Sequence, residues 1–151
     1  MSKESLIEGI AENVLVMLPK AKAVFKDTYA RRPQLKLRGI QVVILDLISQ
    51  EGAMSMGQLS SRVAIAKANT TPLVADLIEK GLLLRRRYEK DRRVVLIDLT
   101  EEGRALHRQI HEENMALFKE KLCTLDDGTL CKLDEVVRSL TGVLDHWLSL
   151  P

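Results

Sequence analysis

A helical pattern stops at Gly81, three leucines follow, and the chain then turns abruptly cationic through Arg85-Arg86-Arg87-Tyr88-Glu89-Lys90-Asp91-Arg92-Arg93 before the apolar run Val94 to Leu99. Glycine just past the last periodic residue is a helix terminator. Two short apolar runs that bracket a charged turn read as a strand, a turn and a second strand. Between Lys80 and Arg93 there are seven Lys or Arg against two acids, in a chain whose net charge is only +2. A short basic hairpin therefore concentrates charge at one projecting point, and the partner suited to such a point is a polyanion with a groove.

The residues upstream restrict the fold further. Ile40, Val43, Ile44, Leu47 and Ile48 lie on one face of a helix from about Gly39 to Ser49, which Glu51-Gly52 closes. Ser55-Met56-Gly57-Gln58 has the form of a capping box and opens a short helix carrying Leu59 and Val63. After a turn around Ala64 to Ala66 another helix begins near Lys67 to Asn69, burying Thr70, Leu73, Val74, Leu77 and Ile78. Two short helices joined by a tight turn, then strand, charged turn and strand, make a helix-turn-helix with a wing. Thr100 is a good N-cap for a long helix from Glu101 to Leu122, and Asp126 for a last one carrying Leu130 to Trp147. At the other end, residues 4–31 read as helix, with Pro19 expected to kink or split it and Arg32-Pro33 to end it.

The expected fold is mostly α with a small β-hairpin wing (α+β): a winged helix-turn-helix core flanked by N- and C-terminal dimerisation helices. The expected division is a helical dimerisation segment at 1–37, a winged lobe at 38–100 and a second dimerisation segment at 101–151, integrated as one domain. The terminal helices are apolar over more length than a small winged core could cover. Leu6, Ile10, Val14, Leu140, Leu144 and Trp147 are thus expected to face a second copy of the chain, the alternative being that they wrap the core of a monomer.

Composition limits the function classes. Apolar content of 46% with 29% charged residues is that of a globular protein, and aromatics at 3% are too few for base stacking to be the main recognition device. Residues 38–100 count ten basic against seven acidic, and 101–151 six against ten, so a nucleic acid belongs on the middle of the chain. Acids at Glu4, Glu8 and Glu12 are unlike a secretory leader, and no apolar run approaches the roughly 20 residues that span a bilayer. A cytoplasmic protein without a membrane partner is expected. No glycine-rich phosphate loop, nucleophile elbow or triad is legible, so neither an enzyme nor a cofactor is expected.

Taken together, Leu77-Ile78-Glu79-Lys80-Gly81-Leu82-Leu83-Leu84-Arg85, Asp91-Arg92-Arg93 and Leu99-Thr100-Glu101-Glu102-Gly103-Arg104 resemble the MarR family of bacterial and archaeal transcriptional regulators. The resemblance covers essentially the whole chain. It implies a triangular homodimer with interlocked first and last helices, each lobe meeting half of a palindromic double-stranded DNA site. It also implies repression of nearby genes, relieved by a small, commonly aromatic or anionic effector bound between the lobe and the dimer helices. One departure is Pro72, where family members often carry Arg. A helix starting at Asn69 would put Pro72 in its first turn, where the missing N–H costs no intrahelical bond, and that later start, or a bent first turn, is the expectation.

The residues expected to meet DNA follow from their chemistry. Lys67, Asn69 and Thr71 form the exposed beginning of the recognition helix, with Asn69 also a candidate cap. One arginine of the Arg92-Arg93 pair suits the minor groove while Asp91 orients its partner. Arg85, Arg87 and Lys90 suit phosphates, and Arg86 should face the other way because side chains alternate along a strand. His107 and His111, spaced i, i+4, could hold a metal, but the second helix offers no histidine and solvated or interface roles are favoured. Cys123 and Cys131 are too far apart for a C-x-x-C pair and are expected to be buried, inert thiols. Two alternatives stay open: a metal- or redox-sensing version of the same regulator, and a winged-helix module that binds an acidic protein.

Overall fold

The computed structural model describes residues 2–26 and 35–150. The chain forms two compact units, residues 1–110 and residues 111–151. It is mostly helical with one small antiparallel sheet, the winged helix-turn-helix class.

In the first unit, α1 (Lys3–Val24) is capped by Ser2, whose hydroxyl accepts from the Ser5 N–H at 3.2 Å. It runs through Pro19 as one element, so of the expected kink or split the split does not occur. It also ends at Val24, short of the expected residue 31, where the Phe25 N–H closes on the Ala21 carbonyl. Thr28 and the Arg32-Pro33 stop lie outside the described residues. Next, α2 (Gly39–Glu51) supplies Val42, Ile44, Leu45 and Ile48 to the core. It ends at Gly52, whose φ of 86° only glycine adopts readily.

A two-residue strand, β1 (Met54–Ser55), precedes α3 (Met56–Arg62). The capping box forms as expected: Ser55 Oγ accepts from the Gln58 N–H at 3.2 Å, and Gln58 Oε1 accepts from the Ser55 N–H at 2.9 Å. Then come α4 (Lys67–Glu79), β2 (Leu83–Arg87) and β3 (Val95–Leu99). The sheet order is β1-β3-β2, both pairings antiparallel, with Leu83 opposite Leu99 and Arg85 opposite Ile97. β1 was not foreseen; two residues carry no periodicity, and this strand exists because β3 has an edge for Met54 and Ser55 to pair with.

The core lies where α2, α3, α4 and the inner face of the sheet meet. Leu45, Leu59, Val74 and Leu77 are fully buried there, with Leu83, Ile97 and Leu99 from the sheet. Each such side chain contributes about 1.5–3 kcal/mol by leaving water. Leu37 is also fully buried, so the segment just before α2 belongs to this core.

α5 (Glu101–Leu122) begins in the first unit and continues into the second, where α6 (Asp127–Ser149) follows. Asp126 caps α6, accepting from the Thr129 N–H at 3.0 Å and from the Thr129 hydroxyl at 2.7 Å. Those bonds hold its carboxyl below the ordinary value. α6 buries no residue, and Leu140, Leu144 and Trp147 are exposed on it. Cys123 and Cys131 are both free and exposed, contrary to the burial expected of them. The reason is their position: Cys123 follows the last turn of α5 and Cys131 sits on an α6 that packs little of its surface. No described helix is long and apolar enough to cross a membrane.

Candidate nucleic-acid interface

α4 starts at Lys67, earlier than expected. The Ala66 carbonyl accepts from the N–H groups of Asn69 (2.9 Å) and Thr70 (3.0 Å), and Ala64, at φ 54°, turns the chain into the helix. Asn69 is therefore the third helical residue and not a cap, which leaves its amide free of that duty. Pro72 falls at the sixth position, inside the helix, where it has no N–H to offer the Ala68 carbonyl. Burial of Thr70 sets this phase. Its side chain is fully buried, its hydroxyl donates to the Ala66 carbonyl at 3.2 Å, and Val74 and Leu77 follow at helical spacing into the core. Lys67, Asn69 and Thr71 are all exposed. The Thr71 hydroxyl donates to the Lys67 carbonyl at 2.8 Å, so its methyl and its lone pairs are what remain exposed to a partner.

The far end of α4 is closed by Gly81 at φ 72°, with the Gly81 N–H on the Ile78 carbonyl and the Leu82 N–H on the Leu77 carbonyl. This paired closure is the Schellman arrangement, and it aims the chain into β2.

Arg85 and Arg87 share the strand face of buried Leu83 but lie beyond the core, and both are exposed. Arg86 points to the other face. Its Nε donates to Asp98 Oδ2 at 2.9 Å, while Asp98 Oδ1 accepts from Arg104 Nη2 at 3.1 Å and from the Leu99 N–H at 2.8 Å. A half-buried carboxylate thus ties the root of the hairpin to the start of α5 and holds Arg86 away from Arg85 and Arg87. At the tip, Asp91 Oδ1 accepts from the Arg93 N–H at 3.0 Å and from Arg93 Nε at 3.4 Å. The Arg93 side chain is 94% exposed, so this bond orients it without burying it. Arg92 and Lys90 are exposed beside it.

Thr100 caps α5, its Oγ1 accepting from the Gly103 N–H at 2.9 Å and donating to the Gly81 carbonyl at 2.6 Å. A Cβ on Gly103 would lie 2.0 Å from the Leu82 carbonyl oxygen. The Leu-Thr-x-x-Gly spacing therefore has a physical cause: α5 presses against the α4–β2 turn at a distance only glycine permits.

His107 Nε2 lies 3.0 Å from Asp46 Oδ1, which joins α5 to α2, while His111 is exposed. Among the described residues no three His, Cys, Asp or Glu side chains gather as a metal site.

A cleft of about 660 Å³ opens between the start of α2 and one side of α4, lined by Lys36, Arg38, Gln41, Asn69, Leu73 and Asp76, among others. Gln41 forms its floor. Only 2% exposed, it accepts from the Arg38 N–H at 2.9 Å and donates to Asp76 Oδ2 at 2.6 Å. Lys80 also bonds Asp76, and these two bonds, the lysine's first, hold the Asp76 carboxyl below its ordinary value. Lys36 and Arg38 were not picked out from the sequence. The alternation Leu35-Lys36-Leu37-Arg38, apolar in and cationic out, is the signal that would have found them.

Comparison with known proteins agrees with this geometry. A model of the MarR family matches residues 40–95. SarZ of Staphylococcus aureus, an HTH-type transcriptional regulator, is 32% identical over 78 residues, 52% of this chain and 53% of SarZ. The chain so aligned spans about half the length of the curated relatives it matches. Among solved structures, the transcriptional regulator BldR of Sulfolobus solfataricus is similar with a TM-score of 0.72 at 26% identity, over 97% of this chain and 99% of BldR. CouR of Rhodococcus jostii, bound to p-coumaroyl-CoA, shares the fold with a TM-score of 0.65 at 21% identity, over 83% of this chain and 88% of CouR.

Proposed function

We propose that this chain is a MarR-family transcriptional regulator that binds a palindromic DNA operator as a homodimer and represses until a small effector releases it. The observation that carries the reading is the pairing of an exposed α4 start with a cationic hairpin whose tip arginine is oriented by Asp91.

In the proposed mechanism α4 enters the major groove. Lys67 and Asn69 have donors for guanine and adenine edges, and the Thr71 methyl suits a thymine. The wing adds a second grip. Arg93, extended from the tip and held at its backbone, suits a narrow minor groove, with Arg92 beside it. Arg85, Arg87 and Lys90 neutralise phosphates, and Asp98 keeps Arg86 out of that set. The division of labour at 1–37, 38–100 and 101–151 belongs to the same proposal.

Dimerisation is supported by unpartnered apolar surface. Leu6 and Ile10 on α1, and Leu140, Leu144 and Trp147 on α6, are exposed in the single chain, with Val14 half-buried. A second copy would cover them. The effector is proposed as a small aromatic or anionic compound; the p-coumaroyl-CoA bound by CouR supports that class.

The test is binding of the purified chain to a duplex carrying its selected palindrome, across a salt series. Arg92→Ala with Arg93→Ala should weaken binding and lower the salt slope by roughly one unit for each phosphate no longer neutralised. Operator binding as tight as wild type with an unchanged slope would remove the wing from the interface.

A further inference from the structure

We propose that Lys36 and Arg38 form a second phosphate-binding point for DNA, separate from the wing, on the rim of the cleft between the start of α2 and α4. This inference rests on the regulator reading above and extends its footprint to a segment outside both recognition helix and wing.

The segment is built to present charge. Leu37 is fully buried, so the residues on either side of it are forced outward. Lys36 takes a φ of 52°, the left-handed region that a residue with a side chain enters only when its surroundings insist. Arg38 is held by its backbone, its N–H donating to the side chain of buried Gln41. Both side chains are exposed, on a segment anchored by buried Leu37 and by the Arg38 N–H bond. Two cations on a fixed base lose less freedom on binding than two on a loose loop.

The charge of the cleft fits a phosphate. Its lining carries Lys36, Arg38 and Lys80 against the single acid Asp76, and Asp76 is already engaged by Lys80 and Gln41. The positive balance therefore sits with Lys36 and Arg38. The position fits DNA in particular, because Asn69 lines the same cleft. A duplex seated with Asn69 at a base edge would bring the sugar–phosphate backbone bordering that groove to the cleft rim. Backbone contacts of this kind set register and add affinity without reading sequence.

The experiment uses the full chain, a duplex carrying the palindrome that the wild-type chain selects from a random pool, and a scrambled duplex of the same composition. Both are titrated by fluorescence anisotropy over a range of sodium chloride. Lys36→Ala with Arg38→Ala should lower the salt slope by about four units for the bound dimer, one for each phosphate left without its cation in the two lobes. It should weaken operator and scrambled duplex by the same factor, leaving their ratio as in wild type. The charge-preserving pair Lys36→Arg with Arg38→Lys should keep the wild-type slope. Lys119→Ala with Lys132→Ala makes the same change in net charge on α5 and α6, and should leave the slope nearly unchanged. A wild-type slope in the Lys36 and Arg38 double variant overturns the inference and leaves the regulator reading standing. Loss of operator binding alone overturns it too, by making the cleft a sequence reader. If the wild-type chain selects no palindrome and binds no duplex in a salt-dependent way, the regulator reading fails and takes this inference with it.

Discussion

Gly103 shows how one missing methyl group can hold a lobe together. Its backbone lies against the Leu82 carbonyl while Thr100, three residues earlier, bonds both the Gly103 N–H and the Gly81 carbonyl. A Cβ there would meet the Leu82 oxygen at 2.0 Å, the Leu82 carbonyl carbon at 3.0 Å and Leu99 Cδ2 at 3.1 Å. Two of these neighbours are backbone, so the clash cannot be relieved by a rotamer change. Gly103→Ala should therefore destabilise the chain by about 1–3 kcal/mol, the range for forcing an extra carbon into a packed site. Urea unfolding monitored by circular dichroism checks this. A lower midpoint with an unchanged slope is expected, and a midpoint equal to wild type would mean that α5 can shift freely from the turn.

At the scale of an element, α4 is a compromise between its core-facing and solvent-facing sides. The buried side, Thr70, Val74 and Leu77, fixes where the helix starts, and Pro72 must then sit in its interior. A proline there forgoes one backbone bond and crowds the preceding turn, at about 3 kcal/mol, while its stiffening of the unfolded chain returns at most about 1 kcal/mol. Pro72→Ala should accordingly raise the thermal unfolding midpoint. Pro72→Arg should do so less, since arginine is no better a helix former than alanine, but it should bind operator more tightly than Pro72→Ala and with a steeper salt dependence. Comparing the two variants separates the backbone effect from the side-chain effect. A Pro72→Ala chain that melts below wild type would show that the proline is favourable where it stands.

For the molecule as a whole, the lobe has a closed core, whereas α1 and α6 have apolar side chains but bury none of them among the described residues. Trp147 is 61% exposed and Leu144 45%. In a homodimer these positions would be the anchors. Leu144→Asp with Trp147→Ala should then shift the protein from dimer to monomer in sedimentation velocity. Operator affinity should fall by roughly a hundredfold, the lower end of what linking two binding modules contributes. The unfolding of the lobe should be little affected, because neither residue is part of its core. A double variant that stays dimeric would exclude this face of α6 from the interface.

Much of the lobe was legible because its boundaries are local. Ser55, Thr100 and Asp126 cap their helices through atoms three residues away, and Gly81 and Leu82 end α4 through bonds to Ile78 and Leu77. Patterns of that range are complete within a short window of sequence, as is the alternation that turned Arg86 from Arg85 and Arg87. Other features depended on contacts that no window contains. The start of α4, and with it the release of Asn69 from capping, followed from the full burial of Thr70 in the folded lobe. Arg86 found Asp98 twelve residues away across the hairpin, and β1 formed only because β3 offered an edge. Cys123 and Cys131 have the small apolar side chain of a core thiol, yet they are exposed, Cys123 past the last turn of α5 and Cys131 on an α6 that buries no described residue. Lys36 and Arg38 gain their meaning from Leu37, whose burial is decided by the packed core rather than by its neighbours in sequence.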